Sequence, residues 1–223
     1  MNQTINSRSP ERHVMTNFSA SNLVKSDFAG VTAHKGQFKG SGLHGSNFSG
    51  ADLTGSTFKG SDVREANFDG ANLTDCSLSM LDLTNASFNK TILARTNFSR
   101  SELDGAKFTE VRLTDVTLTM TDLRNTIFED CVFDGVDFKD SDLSGKRLDG
   151  QTFIGVKFEK AALTDVSFKG ATFHHVSFHP GFTLTNKYYR MIKTICFDDT
   201  TMDKLTFAAL KGMDANLSKV TVI

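Results

Sequence analysis

The chain has no tryptophan and, in 223 residues, only two prolines, two tyrosines and three cysteines. Each scarcity excludes something. Pro10 and Pro180 leave everything between them free of the residue that would remove a backbone donor, so an unbroken hydrogen-bond ladder is open to that stretch. Cys76, Cys131 and Cys196 are too few for a disulfide framework. Their spacing fits neither a zinc knuckle nor a redox pair, so they are expected as reduced thiols in a cytoplasmic protein. No apolar run is long enough to span a bilayer, and Met1 to Arg12 is polar rather than signal-like, so no membrane partner is expected. The net charge of −1 argues against a generally basic nucleic-acid binder, and no direct nucleic-acid contact is expected. A nucleophile–base pair, a Walker loop and a metal quartet are all missing. His174, His175 and His179 cluster without a cysteine or carboxylate at ligand spacing, so no metal and no cofactor is expected.

What is present is a five-residue period. From Thr16 to Pro180 every position whose number ends in 3 or 8 is apolar, and of the 33 such centres only Ala33 is not large. Five matches neither the 3.6 of a helix nor the 2.0 of a strand, so the period points to a solenoid. The residue two before each centre is small, as at Thr16, Ser21, Ser26, Ala51, Ala66, Ala71 and Cys76. The residue just before the centre is often Asp or Asn, as at Asn17, Asn22, Asp27 and Asp52. Thirteen of the seventeen glycines fall two after a centre, where a corner would use their freedom at positive φ.

Quoted as they stand, Ala51-Asp52-Leu53-Thr54-Gly55, Ala71-Asn72-Leu73-Thr74-Asp75 and Ser141-Asp142-Leu143-Ser144-Gly145 resemble the motif of the pentapeptide-repeat family. The resemblance covers about three quarters of the chain. It implies an all-β solenoid: a right-handed quadrilateral β-helix of about eight four-pentad coils. On that fold, positions twenty apart stack. One wall would hold Phe18, Phe38, Phe58, Leu78, Phe98, Leu118, Phe138, Phe158 and Phe178, and the opposite wall Phe28 through Phe168. Between them a third would hold Leu23, Leu43, Val63, Leu83, Leu103, Leu123, Leu143 and Leu163. The fourth starts at Ala33 and Leu53 and changes to Phe133, Phe153 and Phe173. The residues alone show a ten-residue alternation; the four sides come from the family.

The domain reading has three parts. Residues 1–15 carry no repeat and are expected as a disordered or loose lead; 16–180 form the β-helix; 181–223 form a C-terminal cap with one or two short helices. His179-Pro180-Gly181 punctuates the end of the solenoid. Tyr188, Met191, Ile192 and Ile195 then fall at helical spacing. Thr200-Thr201-Met202-Asp203 resembles a capping box opening a second helix that carries Leu205, Ala208, Ala209 and Leu210 and stops at Gly212. Ala215-Asn216-Leu217-Ser218-Lys219 reads as one stray pentad. The region either caps the last coil, leaving a monomer, or joins a homodimer, as it often does in family members that pair. Within the repeat, Ala33 and Gly36 leave the second coil thinly filled, so fraying is expected there. Leu81, Lys146 and Gln151 break the small-residue rule, and the wall at Lys146 is expected to bulge and let the ammonium out.

Charge is uneven. Residues 101–142 hold 4 basic and 11 acidic groups. Asp62, Asp82, Glu102, Asp122 and Asp142, each twenty apart just before a Leu-wall centre, would make a vertical row of carboxylates at about 4.8 Å steps. The row is either the slot's ordinary preference, neutralised by Arg64, Arg100 and Arg124, or a recognition surface. Catalysis is not expected, because Phe and Leu would fill the interior and no long loop interrupts the repeat. Two functions remain. One is a rigid rod that binds an unidentified protein partner or spaces partners apart. The other, implied by the resemblance, is a DNA mimic that binds type II topoisomerase and protects it from quinolones. This chain is nearly neutral and lacks the projecting loops of the family's resistance proteins.

Overall fold

A computed structural model describes residues 16–179 and 186–223. Over 16–179 the chain is a right-handed quadrilateral β-helix whose short bridges and strands all pair in parallel with partners twenty residues on, from Asn17–Gln37 to Lys157–Ser177. On two walls they lengthen into true strands: Leu93–Ala94, Arg112–Thr114, Val132–Asp134, Thr152–Ile154 and Thr172–His174 stack in order on one, and Lys107–Thr109 pairs with Ile127–Glu129 on another. The lead 1–15 and the Pro180-Gly181 punctuation lie outside the described residues.

Each pentad slot has its own physics. The centre points inward, and Phe38, Phe58, Phe98, Phe138, Phe158, Phe178, Leu43, Leu83, Leu103, Leu123, Leu143 and Leu163 are buried. Phe18 and Leu23, at the open first coil, are only partly so. Most rings twenty apart stack face to face, Phe28 on Phe48 at 4.9 Å and Phe38 on Phe58 at 4.7 Å, while Phe153 meets Phe173 edge to face. Facing walls meet edge to face, Phe48 against Phe58 at 5.7 Å and 89°. Both arrangements suit the ring quadrupole.

The small slot lies beside the centre and faces inward too. Where it holds a hydroxyl or thiol, that group generally donates to the carbonyl of a centre one coil back, as Ser46 to Leu23 at 2.7 Å, Thr96 to Leu73 at 2.8 Å and Cys76 to Leu53 at 2.9 Å, while Thr121 turns to Thr119 O at 3.2 Å. A buried polar atom is tolerated because it is bonded. The corner, two after the centre, lies in the left-handed region, and nineteen non-glycine residues from Ala20 to Asp199 adopt it with φ between 51 and 59°. Gly36 is small for another reason. A Cβ there would come within 2.9 Å of the Phe38 ring, so that ring fills the space the missing side chain leaves, and Ala33 is buried.

The three departures from the small-slot rule are absorbed differently. Leu81 is buried and its N–H turns to the Ser101 hydroxyl at 3.2 Å. Gln151 accepts the Cys131 N–H at 2.6 Å through Oε1. Lys146 is not let out. It stays half-buried, its Nζ donating to the Thr126 carbonyl and, at 3.2 Å, to that of Arg124.

Beyond the repeat come helix α1, Asn186–Ile192, and helix α2, Lys204–Gly212. The five-residue grammar nevertheless resumes between them. Phe197 stacks on Phe168 at 5.9 Å, and Thr201–Met202 pairs with Thr172–Phe173 and then with Thr221–Val222. Thr200 is therefore not the N-cap of α2: it fills an inward small slot, its hydroxyl donating to Phe168 O at 3.0 Å. Asp203 caps instead, its Oδ1 accepting from Leu205 N–H at 2.9 Å and Thr206 N–H at 3.1 Å. Residues of this region also take up the N–H groups that the last repeat coil leaves open. Asp165 N–H donates to Thr194 Oγ1 at 2.8 Å and His175 N–H to Asp203 Oδ2 at 2.6 Å.

Candidate interaction surface

The outward slot before each centre explains why Asp and Asn favour it. A short carboxyl or amide there accepts the N–H two residues on, an Asx turn that holds the corner: Asn17 with Ser19 at 3.0 Å, Asn72 with Thr74 at 3.1 Å. In the Leu-wall row Asp82 accepts from Thr84 N–H at 3.0 Å and Asp142 from Ser144 N–H at 2.9 Å. Asp62 and Asp122 do the same with Arg64 and Arg124, whose guanidiniums also fold back onto them at 2.5 and 2.6 Å. Those arginine hydrogen bonds hold both carboxyls below their ordinary range. Each arginine also reaches the next rung, Arg64 to Asp82 and Arg124 to Asp142, both at 3.6 Å.

Glu102 is different. Its extra methylene puts the carboxylate beyond the Asx geometry, and among the described residues that carboxylate makes no hydrogen bond or ion pair, since Arg100 turns to Met120 Sδ at 3.3 Å. The structure therefore brings the five row residues onto one wall, four of them straddled by two arginines and the fifth bare. The register is kept by bridges at Asp62–Asp82, Asp82–Glu102 and Asp122–Asp142, and it opens between Glu102 and Asp122.

Other titratable groups do structural work. Burial pushes the Cys76 thiol up to about 12 and that of Cys131 to about 11, and all three cysteines are free. Among the described residues no group of three or more His, Cys, Asp or Glu is placed to hold a metal. Sequence reasoning missed a groove of opposite sign between α1 and the last coils. It has a volume of 510 Å³ and is lined by Lys160, Lys187, Arg190, Tyr188 and Met191. Its only signal was the three-residue spacing of Lys187 and Arg190 on one helix. Among the described residues no helix is long and apolar enough to cross a membrane.

A family model described as a pentapeptide repeat region matches residues 31–108 and 106–178. No curated protein sequence matches the chain. Among solved structures it is similar to HetL, a pentapeptide repeat protein involved in heterocyst differentiation regulation from the cyanobacterium Nostoc sp. strain PCC 7120. The TM-score is 0.66 and the identity 18%, covering 83% of this chain and 86% of that one. It is also similar to a trypsin-treated form of QnrB1, a plasmid-mediated fluoroquinolone resistance protein. Here the TM-score is 0.67 and the identity 16%, covering 88% and 94%. At these identities the likeness is one of fold.

Proposed function

This chain belongs to the pentapeptide-repeat family, and from that premise we propose that it is a rigid, non-catalytic rod that docks a protein partner on the acidic middle of its Leu wall. One observation carries the reading. Asp62, Asp82, Glu102, Asp122 and Asp142 share one wall of a tube that no loop insertion interrupts, where a partner meets fixed charges and orders no loop on binding. The interior offers no alternative, because aromatic and aliphatic side chains fill it. The three free cysteines support a reducing compartment, the cytoplasm. The inward packing of Ile192 and Leu210 supports a cap that closes the rod's end, hence a monomer.

The reading is tested by affinity capture with the native protein and with a double variant, Glu102→Lys with Asp122→Lys. Partners held by the native wall should be lost from the variant. An identical set on both removes the wall from consideration.

A second reading has one feature in its favour, the fold shared with a quinolone-resistance protein. A DNA mimic needs bare charge at phosphate-like density, and here Arg64 and Arg124 straddle four of the five carboxylates. DNA supercoiling by gyrase with and without the protein separates the two: docking predicts no change, imitation predicts inhibition or quinolone protection.

A further inference from the structure

Two seams of the tube are open, and one of them shows what the other accepts. On the wall of Phe128, bridges run up to Lys107–Ile127 and resume at Arg147–Ser167, with none between Ile127 and Arg147. Lys146 closes that seam from within. Its ammonium takes the Thr126 carbonyl, which the Arg147 N–H would take in a regular rung, and reaches the Arg124 carbonyl as well.

On the adjoining Leu wall the open seam lies between Glu102 and Asp122. The rungs on either side are made, Leu83 N–H to Glu102 O at 2.9 Å and Leu123 N–H to Asp142 O at 2.8 Å. Among the described residues no backbone bond joins Leu103 N–H to Asp122 O, or Asp122 N–H to Ser101 O. Side chains cross the seam only at its margins, Arg100 Nε to Met120 Sδ at 3.3 Å and the Asn125 amide to Asp104 at 2.6 Å, and among the described residues none takes the Ser101 or the Asp122 carbonyl. The seam widens into a cleft of 410 Å³ lined by Arg100, Ser101, Glu102, Asp104, Met120 and Asp122.

The lining selects the occupant. Among the described residues two carbonyls, those of Ser101 and Asp122, have no backbone donor, and beside them stands the one row carboxylate without a partner there, Glu102. Asp104 adds a second carboxylate, accepting from the Asn125 amide at 2.6 Å. The surrounding segment, 101–142, carries 11 acidic against 4 basic residues. The site therefore asks for a cation with several donors on a stem thin enough to pass between rungs. An ammonium has three donors on a slender chain, whereas a guanidinium is a planar fork suited to a single carboxylate. We infer that the seam between 101–105 and 121–125 is a socket for a lysine side chain of the partner protein, seated as Lys146 is seated one wall away. This rests on the proposed docking wall and names the chemistry of its centre.

The test is an NMR titration of the full chain at low salt with a short glycine-flanked lysine peptide, and with the same peptide Nε-acetylated. Amide shifts should concentrate at 101–105 and 121–125. Affinity should fall at least tenfold on acetylation and on Glu102→Gln. It should hold with Glu110→Gln, which removes the same charge from the same acidic segment away from the cleft, and rise with Arg100→Ala. Shifts spread evenly over the acidic segment, an equal loss with Glu110→Gln, or no saturable response at the cleft would each overturn the inference. Partner capture that depends on the row while the lysine peptide leaves the cleft silent sinks the socket and spares the wall. Lysine binding at the cleft without any row-dependent partner does the reverse.

Discussion

In the tube, twenty residues return the chain to its starting wall by way of four pentads. In the terminal coil, twenty residues do the same by way of two pentads and a helix. Phe38 and Phe58 exemplify the first, and Met202 and Val222, bridged in register, the second. Between Met202 and Val222 the nine residues of α2 take the path of two walls. The pitch therefore belongs to the stacking contacts and not to the route between them: any segment that brings the next rung into hydrogen-bond reach will serve. The two regions differ in what pins them. The tube is held by aromatic stacks and a backbone ladder on four sides. The terminal coil is held on one wall by the ladder and elsewhere by single side chains such as Asp203 and Thr206.

The sharpest way to break this comparison is Phe98→Ala. It empties a fully buried rung in the middle of the tube and should cost about 3–5 kcal/mol, lowering the melting temperature of the whole rod. An unchanged melting temperature would deny the cooperative tube. Leu210→Ala, at the buried face of α2, should cost about 2–4 kcal/mol but act locally. Amides at 201–222 should exchange faster while those at 38–98 keep their protection, and a uniform loss would make rod and terminal coil one unit.

Asp203→Ala removes the cap of α2 and should cost about 1–2 kcal/mol. The same residue sets an acid limit. Burial raises its pKa, but the Thr206 hydroxyl and the N–H groups of His175, Thr206 and Leu205 outweigh burial and bring it from 3.8 down to about 2. A carboxyl lowered in the folded state stabilises above its ordinary pKa and loses that contribution as pH falls toward the folded value. Terminal-coil protection should thus decline between about pH 4 and 2. Asp203→Asn, which still caps but does not titrate, should blunt the decline. The smallest effect is a gain. Met80 is exposed and held at φ 56°, so Met80→Gly should stabilise the tube by roughly 0.5–1 kcal/mol, because relief of the left-handed strain is partly offset by glycine's freedom when unfolded.

The tube was open to reading because its signal is dense: one large residue every five positions, with no insertion to shift the phase from Phe18 to Phe178. The terminal pentads hid behind an insertion. Phe168 stacks on Phe197, a step of 29, so the nine residues added around α1 move the centres from numbers ending in 3 and 8 to numbers ending in 2 and 7. The Leu217 pentad was legible by itself, but its spacing with Phe197, Met202 and Val222 was out of frame, and Thr200 looked like a cap when it was a small slot. The row could be placed from register alone. The open seam within it could not, because Ser101-Glu102-Leu103-Asp104-Gly105 is a regular pentad whose one departure is a Glu where Asp would make the turn. Lys146 was recognised as misplaced, but a half-buried ammonium bonded to carbonyls of the preceding coil depends on contacts no linear pattern records.

The aromatic side chains are also partitioned along the rod, and that gives it two built-in optical reporters. Both tyrosines, Tyr188 and Tyr189, sit in α1, where the Tyr188 hydroxyl donates to Phe178 O at 2.8 Å, and no tryptophan masks them. Tyrosine emission therefore watches the end of the molecule alone, while the near-ultraviolet ellipticity of the stacked phenylalanines watches its length. Melting followed at both signals at once would show whether the rod opens from its tail or lets go everywhere together.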